Sequence, residues 1–272
     1  MGLLVTELRV LEHFIQLNQN KKNRKLRVLA LGYPTFLALA EYFAELNIAV
    51  DWRDIKLESD SAALWKEHNW DEFIDKPMFE TRSLFETMGC EFVVVDAITW
   101  GGEDFILNLN LPIDDAMLHA LGKFDIILDP GTIEHCFNVS QALQNVDDLL
   151  EQDGFVFHQI AIAFPNHGFW NISPIALFAF YHQRRYALGQ PYAWSSPRIP
   201  VFQRIHPAMR FDSYPSWLIG ALCFRKTVES PRSSGFPSLQ GILSEIDALP
   251  LEDWCLAALP EAYCVPPVSG SH

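Results

Sequence analysis

Two groupings in the chain could move protons. Glu134 and His135 are neighbours in the segment Asp129–Asn138, DPGTIEHCFN, and His167 opens the segment His167–Pro174, HGFWNISP. Histidine changes charge near neutral pH, so an imidazole close to a carboxylate suits general acid–base work. His135, His167 or Glu134 could each serve as the base, with a histidine better matched to neutral pH. A third feature is the aromatic run LFAFYHQRRY, in which Phe178, Tyr181 and Tyr186 recur at roughly helical spacing. Such a stripe is ordinarily core, yet aromatic faces also attract cations, and Tyr181 is the member to test for that role.

Polar residues at the ends of apolar runs form a second group. The runs are Leu26–Tyr33 (LRVLALGY), Cys90–Ile98 (CEFVVVDAI), Asp104–Ile113 (DFILNLNLPI), Phe124–Asp129 (FDIILD) and Phe155–Phe164 (FVFHQIAIAF). Continuous apolar strands alternating with helical stretches predict a Rossmann-like, doubly wound, mostly parallel sheet covered on both faces. In such a sheet ligands lie outside the carboxyl ends of the strands, where Gly32, Asp96, Asn108 and Asp129 would stand. An acid at the end of the second strand, Asp96, can accept hydrogen bonds from both hydroxyls of a ribose; capping the following segment is the plainer alternative. Asn108, with an amide that both donates and accepts, could meet the polar edge of a base.

The helices are predicted at Thr6–Leu17, at 35–47 with Pro34 in its first turn, at 140–150 and at 239–248. The segment from about Trp52 to Met88 reads as a helical insertion. Ser216–Lys226, SWLIGALCFRK, reads as a closing strand. The domain plan is therefore an N-terminal helix with a basic linker (1–25), an α/β domain (26–228) and a C-terminal tail (229–272). The N-terminal helix and the insertion are expected to form a lid together.

The order LALGYPTFLA, FVVVDAITWGGEDFILNLNLPI, FDIILDPGTIEHCFNVSQAL and LLEQDGFVFHQIA resembles the class I S-adenosylmethionine-dependent methyltransferase family. More narrowly, NLNLP, GTIEHCFN and HGFWNISP are similar to a bacterial branch carrying D-L-N-x-P, G-T-x-E-H-x-F-N and H-G-F-x-x-x-S-P. The resemblance spans roughly Leu26 to Lys226 and implies S-adenosylmethionine as cofactor. It implies cofactor contacts from Gly32, Tyr33, Asp96, Asn108, Leu109, Asp129, Gly131 and Thr132. It also implies substrate contacts from Asn138, Trp170 and Asn171. Two positions depart from it. The first turn offers one glycine, Gly32, followed by Tyr33 and Pro34. Asn108 stands where the branch tends to carry Asp.

Three functions are therefore weighed: a methyltransferase acting on a small molecule or carrier-bound metabolite, an enzyme that closes the cofactor's own side chain into azetidine-2-carboxylate with release of methylthioadenosine, and a binding protein whose cofactor pocket has decayed. With 272 residues, 49% of them hydrophobic, the chain can bury a substantial core. Its net charge of −14 opposes phosphate backbones, and the one basic run, Asn20–Lys25, reads as a solvated loop, so no nucleic-acid partner is expected. The five scattered cysteines, without a C-x-x-C pair, read as reduced thiols of a cytoplasmic protein with no metal ligands. No apolar run reaches the roughly 20 residues of a membrane span.

Overall fold

The structure is a computed structural model and describes residues 2–19, 21–100, 102–195, 201–208, 217–228 and 237–265. In chain order the strands are β1 (Gly2–Leu4), β2 (Leu26–Leu31), β3 (Thr35–Leu37), β4 (Cys90–Asp96), β5 (Phe105–Ile106), β6 (Phe124–Asp129), β7 (Leu150–Ala163), β8 (Ala187–Gly189), β9 (Tyr192–Trp194), β10 (Phe202–Arg204), β11 (Leu218–Arg225), β12 (Leu251–Glu252) and β13 (Cys264–Val265). The helices are α1 (Val5–Gln19), α2 (Glu41–Glu45), α3 (Ser61–Glu67), α4 (Thr81–Thr87), α5 (Asp115–Leu121), α6 (Val139–Leu149), α7 (Pro174–Gln183), α8 (Leu239–Leu243) and α9 (Trp254–Ala258).

An 11-stranded sheet runs β13-β10-β9-β11-β7-β6-β2-β4-β5, with β8 and β12 beside it. From β7 to β5 the pairs are parallel, and β11 lies antiparallel to β7. The architecture is thus α/β with a mostly parallel core and helices on both faces. Strand order reverses between β2 and β6, the place where a doubly wound sheet opens a crevice.

Alternation along each strand assigns the two faces. Val28, Ala30, Phe92, Val94, Ile126 and Leu128 join the core under α1 and α4, whereas Leu29, Leu31, Val93, Val95 and Ile127 join the core under α6 and α7. Helix α1 is no detachable lid, because Leu8, Leu11 and Phe14 are fully buried and Phe14 stacks on Phe155 at 4.3 Å. The chain ahead of it adds β1, paired in parallel with β3. That pairing replaces the first residues of the helix predicted at 35–47, which shortens to α2, so Pro34 precedes a strand instead of opening a helix. The insertion is helical in pieces, as expected, and its α4 is the crossover between β2 and β4.

The basic linker is also more than a solvated loop. Arg24 holds the buried Asp125 carboxylate at 2.7 Å, Lys22 pairs with the same group, and the Arg27 amide donates to it at 2.8 Å. Burial pushes the Asp125 pKa up, but these hydrogen bonds outweigh it and hold the group below the usual carboxylate range. Ser216 and residues 229–236 of the expected closing strand and tail lie outside the described residues. No described helix is long and apolar enough to cross a membrane. All five cysteines are buried and free.

Candidate functional site

Parallel register brings the strand ends to one level: Leu31 lies against Val95, Asp96 against Ile106, and Ala30 against Leu128. Gly32, Asp96 and Asp129 therefore share the carboxyl edge, but they do different work there. The site divides at the reversal between β2 and β6.

On the β2–β4–β5 side, Asp96 is half-buried, and its Oδ1 accepts one long hydrogen bond from the Ile98 amide at 3.3 Å. A carboxylate can accept about four, so the group retains capacity for a diol. Asn108 is exposed and uses its Oδ1 to accept from the Asn110 amide at 3.0 Å. Ile98, Trp100 and Leu111 around them are 54%, 77% and 59% exposed. This is a polar pair set among exposed apolar side chains, which fits a ribose and a base.

The first turn does not supply what the resemblance implied. Gly32 is buried with φ 77°, and its amide donates to the Val95 carbonyl at 2.7 Å, so it is spent on the ladder. Tyr33 packs its ring where a Cβ on Gly102 would stand 3.1 Å away, and its hydroxyl accepts from the Arg82 amide at 3.4 Å. Burial pushes that phenol up to about 12. Leu109 is buried in the core, and its carbonyl accepts from Asn145 at 3.0 Å.

On the β6–β7 side, a chain of buried hydrogen bonds runs away from the rim. Asp129 is fully buried, with Oδ1 accepting from the Thr132 amide at 2.7 Å and Oδ2 meeting His158 Nδ1 at 2.7 Å. His158 Nε2 meets the Tyr181 hydroxyl, also at 2.7 Å. A neutral imidazole with its proton on Nδ1 satisfies both contacts. Tyr181 is likewise fully buried, stacked on Phe224 at 4.2 Å, with its phenol raised by burial and by the charges of Asp147 and Asp129. Neither Asp129 nor Tyr181 can touch a ligand, so their expected cofactor and catalytic roles are corrected to bracing. Thr132 is drawn in too, its hydroxyl donating to the Leu31 carbonyl across the strand reversal.

The other face of the same strands carries a cavity of about 360 Å3, lined by Gly131, Glu134, Gln159 and His167 among polar or small residues. Trp70, Phe164, Trp194 and Trp217 are its aromatic lining, and Gly2, Leu4 and His68 also line it. Residues of β1 and of the insertion, and none of α1, line the cavity. Glu134 is 1% exposed, and its Oε2 has no hydrogen-bond partner. Burial, then the charge of Asp129, push its carboxyl up to about 8. His167 Nε2 lies 4.0 Å from Glu134 Oε1, and the His135 ring sits edge-on to His167 at 5.0 Å. Burial lowers both imidazoles below their ordinary value, so both are neutral at pH 7.

Two glycines make this meeting possible. Gly131, at φ 91°, would put a Cβ 3.1 Å from Glu134 Oε1. Gly168 would put one 2.8 Å from the Glu134 carbonyl oxygen, which accepts from the Phe169 amide at 2.9 Å and the Trp170 amide at 3.2 Å. The His-Gly-Phe loop is thereby docked onto Glu134, and His167 is delivered beside it.

The structure thus brings together Glu134, His135, His167 and Gly131, and keeps Asp96 and Asn108 apart from them. Asn138 serves as the N-cap of α6, its Oδ1 accepting from Ser140 at 2.9 Å and from the Gln141 amide at 3.3 Å. Asn171 accepts from the Phe164 amide at 2.8 Å. The half-exposed Trp170 donates through Nε1 to the Cys136 carbonyl at 3.1 Å. Trp170 and Asn171 order the loop, and none of the three residues lines the cavity. His158 and Gln159 were not singled out from sequence. A histidine and a glutamine in the middle of an apolar strand were the available signal.

No family model matches the sequence, and no curated protein is similar to it. Among solved structures, the chain is similar to the citrinin polyketide synthase CMeT domain, at 13% identity and TM-score 0.41, covering 80% of this chain and 52% of that one. It is similar to the branched-chain polyamine synthase from Thermus thermophilus at 12% identity and TM-score 0.39, covering 86% and 60%. It is similar to the N-methyltransferase NodS from Bradyrhizobium japonicum at 9% identity and TM-score 0.35, covering 82% and 89%. The chain spans 52% and 60% of the first two. Likeness at this level assigns no activity.

Proposed function

We propose that the protein is an S-adenosylmethionine-dependent methyltransferase acting on a small molecule or a carrier-bound metabolite. The observation that carries this reading is the division of the carboxyl edge into a nucleoside-like rim at Asp96 and Asn108 and, across the strand reversal, a walled cavity holding Glu134, Gln159 and His167. The motif order in the sequence supports the same assignment. Asp96 would hold the ribose hydroxyls and Asn108 the base edge. The amino-acid end of the cofactor finds no free Gly32 amide, so its binding rests on the nucleoside half.

The cofactor supplies an electrophilic methyl group, and its transfer needs positioning more than covalent help. The aromatic walls exclude water and orient an acceptor in the cavity. His167, neutral at pH 7 and open to the cavity, takes the acceptor's proton. Glu134 holds its own proton below about 8, so it stands as a neutral neighbour to the imidazole and adds no charge to the acceptor site. The test is incubation with S-adenosylmethionine and a panel of small nucleophiles, followed by mass spectrometry. Acceptor-dependent S-adenosylhomocysteine is expected. Methylthioadenosine formed without any acceptor would transfer the assignment to the cyclising reaction.

A further inference from the structure

Glu134, His135 and His167 offer one carboxylate oxygen and two imidazole nitrogens, all within 4.8 Å of one another. We propose that these three side chains bind a single divalent first-row transition-metal ion at the edge of the cavity. The donor set decides the class. Two imidazoles with one carboxylate suit zinc, iron(II), cobalt or manganese, whereas magnesium and calcium prefer oxygen alone.

The donors are near each other before any ion binds. Nitrogen and oxygen donors at about 2.0–2.2 Å in tetrahedral geometry stand roughly 3.3–3.6 Å apart. The 4.0 Å between His167 Nε2 and Glu134 Oε1 exceeds that by about half an ångström, and all pairs lie within 4.8 Å, so the cluster must draw in by about an ångström. His135 and His167 are both at the surface, where their side chains have room to turn.

A second observation points to a ligand independently. Glu134 is 1% exposed, yet its Oε2 has no hydrogen-bond partner, and Gln159 Oε1 on the same cavity wall is also without one. Leaving such buried atoms unmet is unfavourable. An ion would engage the first, and water bound to the ion would donate to the second. The surroundings are built to hold the donors in place. The Phe169 and Trp170 amides fix the Glu134 backbone, and His167 stacks on Phe164 at 4.4 Å with only 7° between rings. Three protein donors leave coordination positions open toward the cavity, as in catalytic rather than structural sites.

A bound ion would displace the proton from Glu134 and occupy a ring nitrogen of His167, so His167 serves as a base only in the metal-free protein; the test of the site contains no nucleoside. The full chain, stripped with a chelator and dialysed, is titrated with cobalt(II) while visible absorption is followed, then with zinc against a chromophoric chelator. A saturable band at one equivalent that zinc abolishes is expected. Outer-sphere partners of metal sites typically change affinity by roughly 10–100-fold, so Glu134→Gln and His167→Ala should each weaken zinc binding by about 100-fold or more. His182→Ala, which removes an exposed histidine paired with Glu245 at 3.1 Å, should leave it unchanged. No saturable band, wild-type affinity in Glu134→Gln or His167→Ala, or loss of binding in His182→Ala would overturn the site. Far-ultraviolet circular dichroism checks folding, and should Glu134→Gln fail to fold, the surface change His167→Ala decides alone.

Discussion

The rim at Asp96 and Asn108 and the cavity at Glu134 and His167 stand on the same sheet edge, yet they are built in opposite ways. At the rim the polar groups are half-buried or exposed and near exposed apolar side chains; Asp96 accepts one long hydrogen bond, whereas Asn108 Oδ1 accepts two from Asn110. At the cavity the Glu134 carboxylate is buried and pushed toward its neutral form, and the main-chain carbonyl of the same residue is pinned by two amides from a distant loop. Behind the cavity, Asp129, His158 and Tyr181 spend all their polar atoms on one another or on the adjacent turn. Under the proposed function the contrast separates binding from chemistry: an open rim would take the nucleoside, while burial in the braced pocket shifts the protonation of its own groups.

Four substitutions break or sharpen that division, and the largest effect belongs to the cavity. His167→Ala should lower turnover by about 10²–10⁴-fold while leaving S-adenosylhomocysteine affinity within experimental error, as steady-state kinetics and calorimetry would show. An equal loss in both would merge the two regions into one. Asp129→Ala should come next, because it strands the Thr132 and Ile133 amides and His158 Nδ1. Breaking a buried network of this kind costs about 3–5 kcal/mol, seen as a lower midpoint in urea unfolding. Asp96→Ala should leave that midpoint in place but weaken S-adenosylhomocysteine by about 100-fold, since hydrogen bonds to a charged group contribute about 1.5–3 kcal/mol each.

The smallest effect is on pH dependence and tests burial itself. Burial pushes Glu7, which is fully buried, up to about 8 from the usual 4.5. Between those values the folded state holds a proton that the unfolded state has released, so stability is greatest at the acidic end and falls as pH rises through about 8. Glu134 acts in the same direction. Glu7→Gln should remove the Glu7 share and flatten the decline between pH 5 and pH 8, measured by urea unfolding at both ends. An unchanged slope would mean that Glu7 is not titrating as its burial requires.

Much of the sheet was legible because continuous apolar runs declare buried parallel strands. The runs Cys90–Ile98 and Phe124–Asp129 became β4 and β6, with Asp96 and Asp129 at the last positions of the two strands. The strands β1, β3, β8, β9, β10, β12 and β13 are two or three residues long, too short for any periodicity. At the site, the segments carrying Glu134, His135 and His167 stood out in the sequence, and the fold brings these three side chains near one another. Alternation was the signal not used for Asp129. It stands one residue beyond Leu128, whose side chain faces the α1 side, so its own side chain faces α6 and α7, where His158 and Tyr181 wait. Gln159, one residue beyond His158, faces the cavity for the same reason. The fate of Gly32 could not be read either, because whether an amide joins a ladder depends on the neighbouring strand's register and not on the local residues.

Isothermal titration calorimetry of the wild-type chain with S-adenosylhomocysteine tests the central claim most directly. A saturable heat at one site per chain, lost in Asp96→Ala and retained in His167→Ala, is the result expected. Absence of any heat from the wild-type protein, or equal binding by Asp96→Ala, would contradict a nucleoside site at the β4 edge.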